Sequence, residues 1–309
     1  MRVLITGGAG FIGSHIVEYF QNRAEVRVLD NLRTGHRQNL AGLPCDFMLG
    51  SILDRDLVRQ AVQGVDYVFH LAAMISVPES MEQPIACVEI NTLGTLVLLE
   101  EAARAGVRKL IFSSSAAVYG DNPVVPKHEA MPPEPRSPYA ATKLDGEIYG
   151  RIFTDTGRLP IACLRYFNVF GPRQDSQSPY AAAVSHFIAR ALRGQPLTIF
   201  GDGEQTRDFI YVRDVVAANV FFATASDATG VFNVASGHRI SINELARTII
   251  RLSASSSEMH HAAPRPGDVQ HSLAGLDKLR AAGFAPTHDL SGGLQTTLAF
   301  YRQSPPAAA

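Results

Sequence analysis

The chain of 309 residues has little of what usually announces an extreme environment. Its three cysteines, Cys45, Cys87 and Cys163, are widely separated and show no metal-ligand or Cys-x-x-Cys spacing, so they are expected as core fillers rather than as a disulfide framework or thiolate site. An excess of either charge is missing too: 28 basic against 29 acidic side chains leave a formal net charge of −1, with no general attraction for nucleic acid or an anionic membrane. No apolar run approaches membrane-spanning length, and the opening Met1-Arg2-Val3-Leu4-Ile5-Thr6-Gly7 enters a strand at once, leaving no room for a leader. The expectation is a soluble, cytoplasmic protein that acts on small molecules. His260-His261 has no third ligand at useful spacing, so no metal is expected.

What is present is alternation. Short β-branched or apolar runs at residues 3–5, 26–29, 67–71, 110–112 and 161–166 are separated by helical patterns over 11–22, 55–63, 84–105 and 139–156. Such alternation implies a parallel sheet with crossover helices. After Asn168 the order loosens into a Gly-Pro-Arg loop, a helix near 181–193 and a short strand at 197–200. Residues 209–211, a helix from about Arg213, and residues 231–234 then read as a return to the main sheet. Helices at 242–252, 276–282 and 294–301 belong to a smaller lobe. The fold class is α/β: a Rossmann-like doubly wound parallel sheet with a smaller α/β substrate-binding lobe.

Two motifs carry chemistry. Gly7, Gly10 and Gly13 follow the first strand and open a helix, where a backbone without Cβ approaches a pyrophosphate and the helix N-terminus favours its charge. Asp30, closing the second strand, can accept hydrogen bonds from both adenosine ribose hydroxyls and would repel a 2′-phosphate, so NAD is expected over NADP. Arg33 lies close enough to blur that discrimination, although a surface role suits it better. The second motif is Tyr139 with Lys143, a phenol and an ammonium one helical turn apart on one face. Alone such a pair is most simply a surface feature; beside a dinucleotide turn it can deprotonate an alcohol next to a nicotinamide.

The whole chain from Arg2 to about Phe300 resembles the extended short-chain dehydrogenase/reductase family, and within it the UDP-sugar 4-epimerases. The resemblance is carried by Thr-Gly-Gly-Ala-Gly-Phe-Ile-Gly from Thr6, Asp-Asn-Leu from Asp30, Phe-His-Leu-Ala-Ala from Phe69 and Ser-Ser-Ser-Ala-Ala-Val-Tyr-Gly from Ser113. Tyr139 with Lys143, Leu-Arg-Tyr-Phe-Asn from Leu164, Arg207-Asp208 and Arg265-Pro266-Gly267-Asp268 complete it. It implies that Phe11, Ile12, Asn31, Leu32, Ile52, Leu71, Ala72, Ala73, Asn91, Ser113 and Tyr166 join the glycines, Asp30, Tyr139 and Lys143 in an NAD site. Residues 1–167 with about 208–237 would form the NAD-binding domain, and 168–207 with 238–309 the UDP-sugar-binding lobe. One departure is Gly50-Ser51-Ile52, where the family commonly has Gly-Asp-Ile; Ser51 can still hydrogen-bond the adenine.

The resemblance also implies roles in catalysis. Tyr139 would be the base, and its phenol, of ordinary pKa ~10, must fall by ~3 units, about 4 kcal/mol, to ionise near neutrality. Lys143 and a positive nicotinamide ring would stabilise the phenolate, and Ser115 would bond the same substrate hydroxyl. Related 4,6-dehydratases carry an Asp-Glu pair after this serine, whereas this chain has Ala116 and Ala117, which disfavours elimination and leaves oxidation and re-reduction at C4. For the substrate, Arg207 and Arg265 would bind the diphosphate, Asp268 the ribose, and Asn168 the diphosphate or sugar. Leu197, Thr198 and Phe200 would line the uracil. Ser272 stands where relatives confined to UDP-glucose and UDP-galactose carry a tyrosine, leaving room for a 2-acetamido group. A homodimer through the two long helices is the family pattern. Decarboxylation or epimerisation of UDP-glucuronate is the nearest rival, and a silent NAD-binding sensor or scaffold is the rival of another class.

Overall fold

The computed structural model describes residues 1–175, 183–264 and 270–303. Its strands are β1 (Arg2–Thr6), β2 (Glu25–Asp30), β3 (Asp46–Leu49), β4 (Tyr67–His70), β5 (Lys109–Ser115), β6 (Ile161–Tyr166), β7 (Asn168–Phe170), β8 (Leu197–Phe200), β9 (Thr206–Tyr211), β10 (Gly230–Val234), β11 (Arg239–Ser241) and β12 (Met259–Ala262). The helices are α1 (Phe11–Phe20), α2 (Arg55–Ala61), α3 (Val77–Glu82), α4 (Pro84–Val88), α5 (Gly94–Arg104), α6 (Pro138–Asp155), α7 (Ala183–Leu192), α8 (Val212–Thr224), α9 (Ile242–Ser253), α10 (Asp277–Ala281) and α11 (Leu290–Gln303).

Seven parallel strands form the main sheet in the order β10-β6-β5-β4-β1-β2-β3. This is the Rossmann-like doubly wound arrangement, with strand order reversing between β1 and β4, where a crevice opens at the carboxyl ends. The strand sequences show why both faces are covered. Val3 and Ile5 of β1, Phe69 of β4, Ile111 of β5, and Ala162 and Leu164 of β6 enter one core cluster. Their alternates Leu4, Val68, Leu110, Phe112, Ile161 and Cys163 enter the other. Successive side chains point to opposite faces, so continuous apolar runs with both parities buried demand helices above and below. A third cluster, with Phe187, Ile199, Leu245 and Leu294, packs α7, α9 and α11 around a three-stranded sheet β11-β9-β7 and a strand pair β12-β8.

Several sequence expectations change in detail. The helix expected over 84–105 is interrupted: α4 gives way to a π-type turn at Glu89–Leu93 before α5 resumes. The helix expected to reach residue 22 stops at Phe20, followed by Asn22 in the left-handed region at φ 63°. The strand at 209–211 does not return to the main sheet. It lies in β9, which pairs with β7 and β11; β10 packs against β6, α8 against β5 and β6, and α10, expected in the smaller lobe, packs on β10 with Leu276 and Leu279 in the main-domain core.

Asp208 on β9 joins the two parts. Fully buried, it accepts hydrogen bonds from the backbone amides of Ser236 (2.9 Å), Gly237 (3.1 Å) and Ala274 (3.2 Å) and from the Ser236 hydroxyl (2.7 Å). One carboxylate thereby fixes the end of β10 and the segment that carries Ser272 onto the strand that carries Arg207. Among the described residues, no helix is long and apolar enough to cross a membrane.

Candidate active site

The crevice at the strand-order reversal is a cleft of about 710 Å³. The first turn supplies Gly7, Gly10, Phe11, Ile12 and Gly13; Asp30 ends β2 and Asn31 follows it, Ser51 and Ile52 follow β3, and Leu71, Ala72 and Ala73 follow β4. Ser113, Tyr139, Lys143 and Tyr166 line its other end.

The turn requires glycine on steric grounds. Gly7 sits at φ 72°, and a Cβ there would lie 2.7 Å from the Ala72 amide nitrogen; at Gly13 it would lie 2.2 Å from the Gly7 carbonyl. No side chain caps α1 and no acidic residue occupies its first turn, so its N-terminus presents an uncompensated positive dipole end to the cleft. Asp30 is held by backbone: its carboxylate accepts from Ala9 (2.9 Å) and Leu32 (2.7 Å), leaving further lone pairs for a ligand. Volume, glycine cradle, helix end and buried acid together fit a dinucleotide.

Not every expected cofactor residue faces the cleft. Leu32, in the left-handed region at φ 59°, contributes its amide to Asp30 and is not part of the cleft lining. Asn91, on the π-type turn, lies behind the wall, where it bonds both backbone groups of Met74 (2.7 and 2.9 Å) and the Thr142 hydroxyl (3.0 Å). It holds the segment after Ala73 in place. Ser51 uses its hydroxyl locally, accepting from the Leu53 amide at 3.2 Å.

At the other end, α6 begins with Ser137 capping the Ala140 amide and Pro138 in its first turn, a start that projects Tyr139 and Lys143 from the first two turns. The Tyr139 amide is bonded by Ser80 of α3, itself fully buried. Lys143 is 5% exposed and donates to the Ser113 carbonyl at 2.7 Å, its nitrogen 5.8 Å from the centre of the Tyr139 ring. Burial lowers its pKa to about 8, against a small opposing effect of Cys87. Ser115 accepts from the Ala117 amide at 3.1 Å and neighbours the Tyr139 phenol. Burial raises the Tyr139 pKa, and the Ser115 hydrogen bond works against that rise. Among the chain's own groups desolvation prevails, in the direction opposite to the one expected for a base. Tyr166 is pushed up to about 12 by burial, bonds Ser113 (3.2 Å) and Asn219 (2.9 Å), and remains a neutral phenol.

One support was not singled out from the sequence. Glu147, one turn beyond Lys143 on α6, accepts from Ser114 and makes a buried two-bond ion pair with Arg165 (2.8 and 2.7 Å), pinning α6 to the ends of β5 and β6. Its i+4 spacing from Lys143 was the available signal. His70, at the end of β4, bonds Thr6 (2.7 Å) and Thr95 (2.9 Å); burial and then Lys143 lower its pKa to about 3, so it stays neutral.

The residues expected on the substrate side lie apart from this cleft lining. Asn168 bonds the Asp208 carbonyl (3.0 Å), Arg207 the Thr206 carbonyl (2.9 Å), and the Ser272 amide that same carbonyl (3.0 Å), so Arg207 and Ser272 flank one strand edge. On β8, Leu197 is fully buried in the lobe core, while Thr198 and Phe200 are partly exposed. Arg265 and Asp268 lie outside the described residues.

Known proteins resemble this chain throughout. The family model described as "NAD dependent epimerase/dehydratase family" matches residues 3–235. The structure of a UDP-N-acetylglucosamine 4-epimerase from Methanobrevibacter ruminantium M1, in complex with UDP-N-acetylmuramic acid, is similar at 41% identity and TM-score 0.95 over 98% of both chains. A UDP-glucose 4-epimerase of Mycolicibacterium smegmatis is 38% identical, across 98% of this chain and 99% of that protein. UDP-glucuronic acid decarboxylase 1 of Xenopus tropicalis is 34% identical, across 98% of this chain and 72% of its own length.

The Tyr139 pKa sets a spectroscopic expectation. In nucleotide-free protein, the phenolate absorbance difference between wild type and Tyr139→Phe should reach its midpoint above pH 10, and oxidised NAD should move that midpoint downward. A midpoint below 10 without nucleotide contradicts the account.

Proposed function

The chain belongs to the NAD dependent epimerase/dehydratase family, and within it we propose that the protein inverts C4 of UDP-hexoses through a transient 4-keto sugar. The observation that carries this reading is the joint placement of Tyr139, Lys143 and Ser113 at one end of a glycine-cradled cleft with Asp30 at its nucleotide end. Tyr139 takes the proton of the C4 hydroxyl, Ser115 hydrogen-bonds the same oxygen, and Lys143 favours the phenolate. Held by the glycine turn and Asp30, NAD would supply a reversible hydride acceptor for C4, and the 4-keto sugar would rotate to present its other face before re-reduction. Tyr139 then gives the proton back to the oxygen of the inverted centre. Ala116 and Ala117, next to Ser115, provide no acid to expel a hydroxyl, which supports epimerisation over dehydration.

Arg207, with Arg265, is assigned to the diphosphate, Asp268 to the ribose, Asn168 to the diphosphate or sugar, and residues 197–200 to the uracil. Ser272 beside Arg207 leaves space for a 2-acetamido group, and the similar UDP-N-acetylglucosamine 4-epimerase structure supports use of N-acetylated as well as plain UDP-hexoses. The decarboxylase relative gives the second reading, UDP-glucuronate as substrate.

A homodimer is proposed on a surface argument. Ile85 and Val88 of α4, Leu93 of the adjoining π-type turn, and Ile148 and Ile152 of α6 are exposed by 40 to 75% on mutually packed elements. A contiguous apolar face of this kind is unusual on a monomer. Sedimentation at micromolar concentration should give a dimer mass, and Ile85→Asp should give a monomer; a wild-type monomer would refute the proposal.

Purified protein incubated without added reductant should interconvert UDP-glucose with UDP-galactose and UDP-N-acetylglucosamine with UDP-N-acetylgalactosamine. Ser272→Tyr should lower the N-acetyl reaction by ~10-fold or more while sparing the other, the scale of a pocket-size change of ~1 to 3 kcal/mol. A five-carbon sugar from UDP-glucuronate would favour the second reading, and inability to turn over UDP-N-acetylglucosamine would remove the size argument.

A further inference from the structure

Arg33 and Glu79 meet on the wall of the nucleotide cleft, coming from the loop after β2 and from α3. Their guanidinium and carboxylate are 2.6 Å apart and only 31% and 28% exposed. Both ends are fixed. The Arg33 amide donates to the Asn31 side chain (3.1 Å), just beyond Asp30. The Glu79 amide donates to Ser76 (3.2 Å), and the next residue, Ser80, accepts from the Tyr139 amide (3.2 Å), so α3 is tied to the start of α6.

A half-exposed ion pair contributes little to stability, so its consequence lies in local charge. An arginine three residues past the ribose-end acid is the type of group that accommodates a 2′-phosphate, because its planar fork bonds phosphate oxygens in pairs. With Glu79 bonded to Nη2, one arm of that fork is taken and its charge is offset. A 2′-phosphate would have to break the pair and then face Glu79 as well as Asp30. We propose that Glu79 is a cofactor-specificity residue, which withholds Arg33 from a 2′-phosphate so that preference for NAD over NADP rests on Glu79 in addition to Asp30.

The proposal rests on reading the cleft as a nicotinamide dinucleotide site, and the test separates the two. Protein equilibrated with an equimolar mixture of NAD and NADP is isolated, its nucleotides are released, and their bound ratio is measured. In Glu79→Gln the NADP:NAD ratio should rise about tenfold over wild type, the scale of one charge-assisted hydrogen bond formed and one repulsion removed. In Arg33→Ala/Glu79→Gln it should fall back to within about threefold of Arg33→Ala, because no guanidinium remains to be released. An unchanged ratio in Glu79→Gln overturns the proposal, and so does a tenfold rise that survives without Arg33. Recovery of neither nucleotide from wild type would overturn the cofactor reading itself, and the inference with it.

Discussion

The site is organised around one buried ammonium. Lys143 is almost completely removed from water, and its nearest oxygen is the Ser113 carbonyl at 2.7 Å rather than a carboxylate. Burial disfavours its charge, lowering its pKa to about 8, and the Ser113 carbonyl offsets part of that cost. Ser137 and Pro138 start the helix that carries it, and Glu147 with Arg165 pins the same helix one turn further on. Burial raises Tyr139 as well, with the Ser115 hydrogen bond working against that rise, so a lowered phenol pKa would need a further positive charge such as a nicotinamide ring. Base strength would thus be coupled to cofactor occupancy.

The nucleotide half follows from backbone geometry. Gly7 and Gly13 allow approaches that a Cβ would forbid, and Asp30 is presented by two amides instead of by another side chain. These features belong to the reversal of strand order beside β1, the place where a parallel sheet leaves a crevice open.

Much of this was legible in the sequence because it is local. Both parities of the β1, β4, β5 and β6 runs are apolar, which requires a sheet covered on two faces, and the glycine turn, Asp30, Tyr139 and Lys143 announce themselves by spacing. What escaped is tertiary. The run over 84–105 reads as one helix, and only the structure shows the π-type turn that puts Asn91 against Met74. β9 has the pattern of a main-sheet strand, but its pairing with β7 and β11 puts it in the second sheet, and Asp208 with its four donors ties that sheet to the end of β10. α3 was missed although Ser76 and Glu79 form the Ser-x-x-Glu start signature, because six residues give too short a period to read. The Arg33–Glu79 pair joins positions 46 residues apart and had no sequence signal.

The central claim is a redox cycle that closes on the same carbon of the substrate. It is tested most directly by incubating the protein with UDP-glucose carrying deuterium at C4, in ordinary water and without added reductant, and examining the C4 epimer by mass spectrometry and NMR. The account predicts that UDP-galactose forms with the deuterium still on C4, since the hydrogen leaves as hydride and returns without exchanging with solvent. Hydrogen from water at C4 of the product, or no epimer at all, would contradict it.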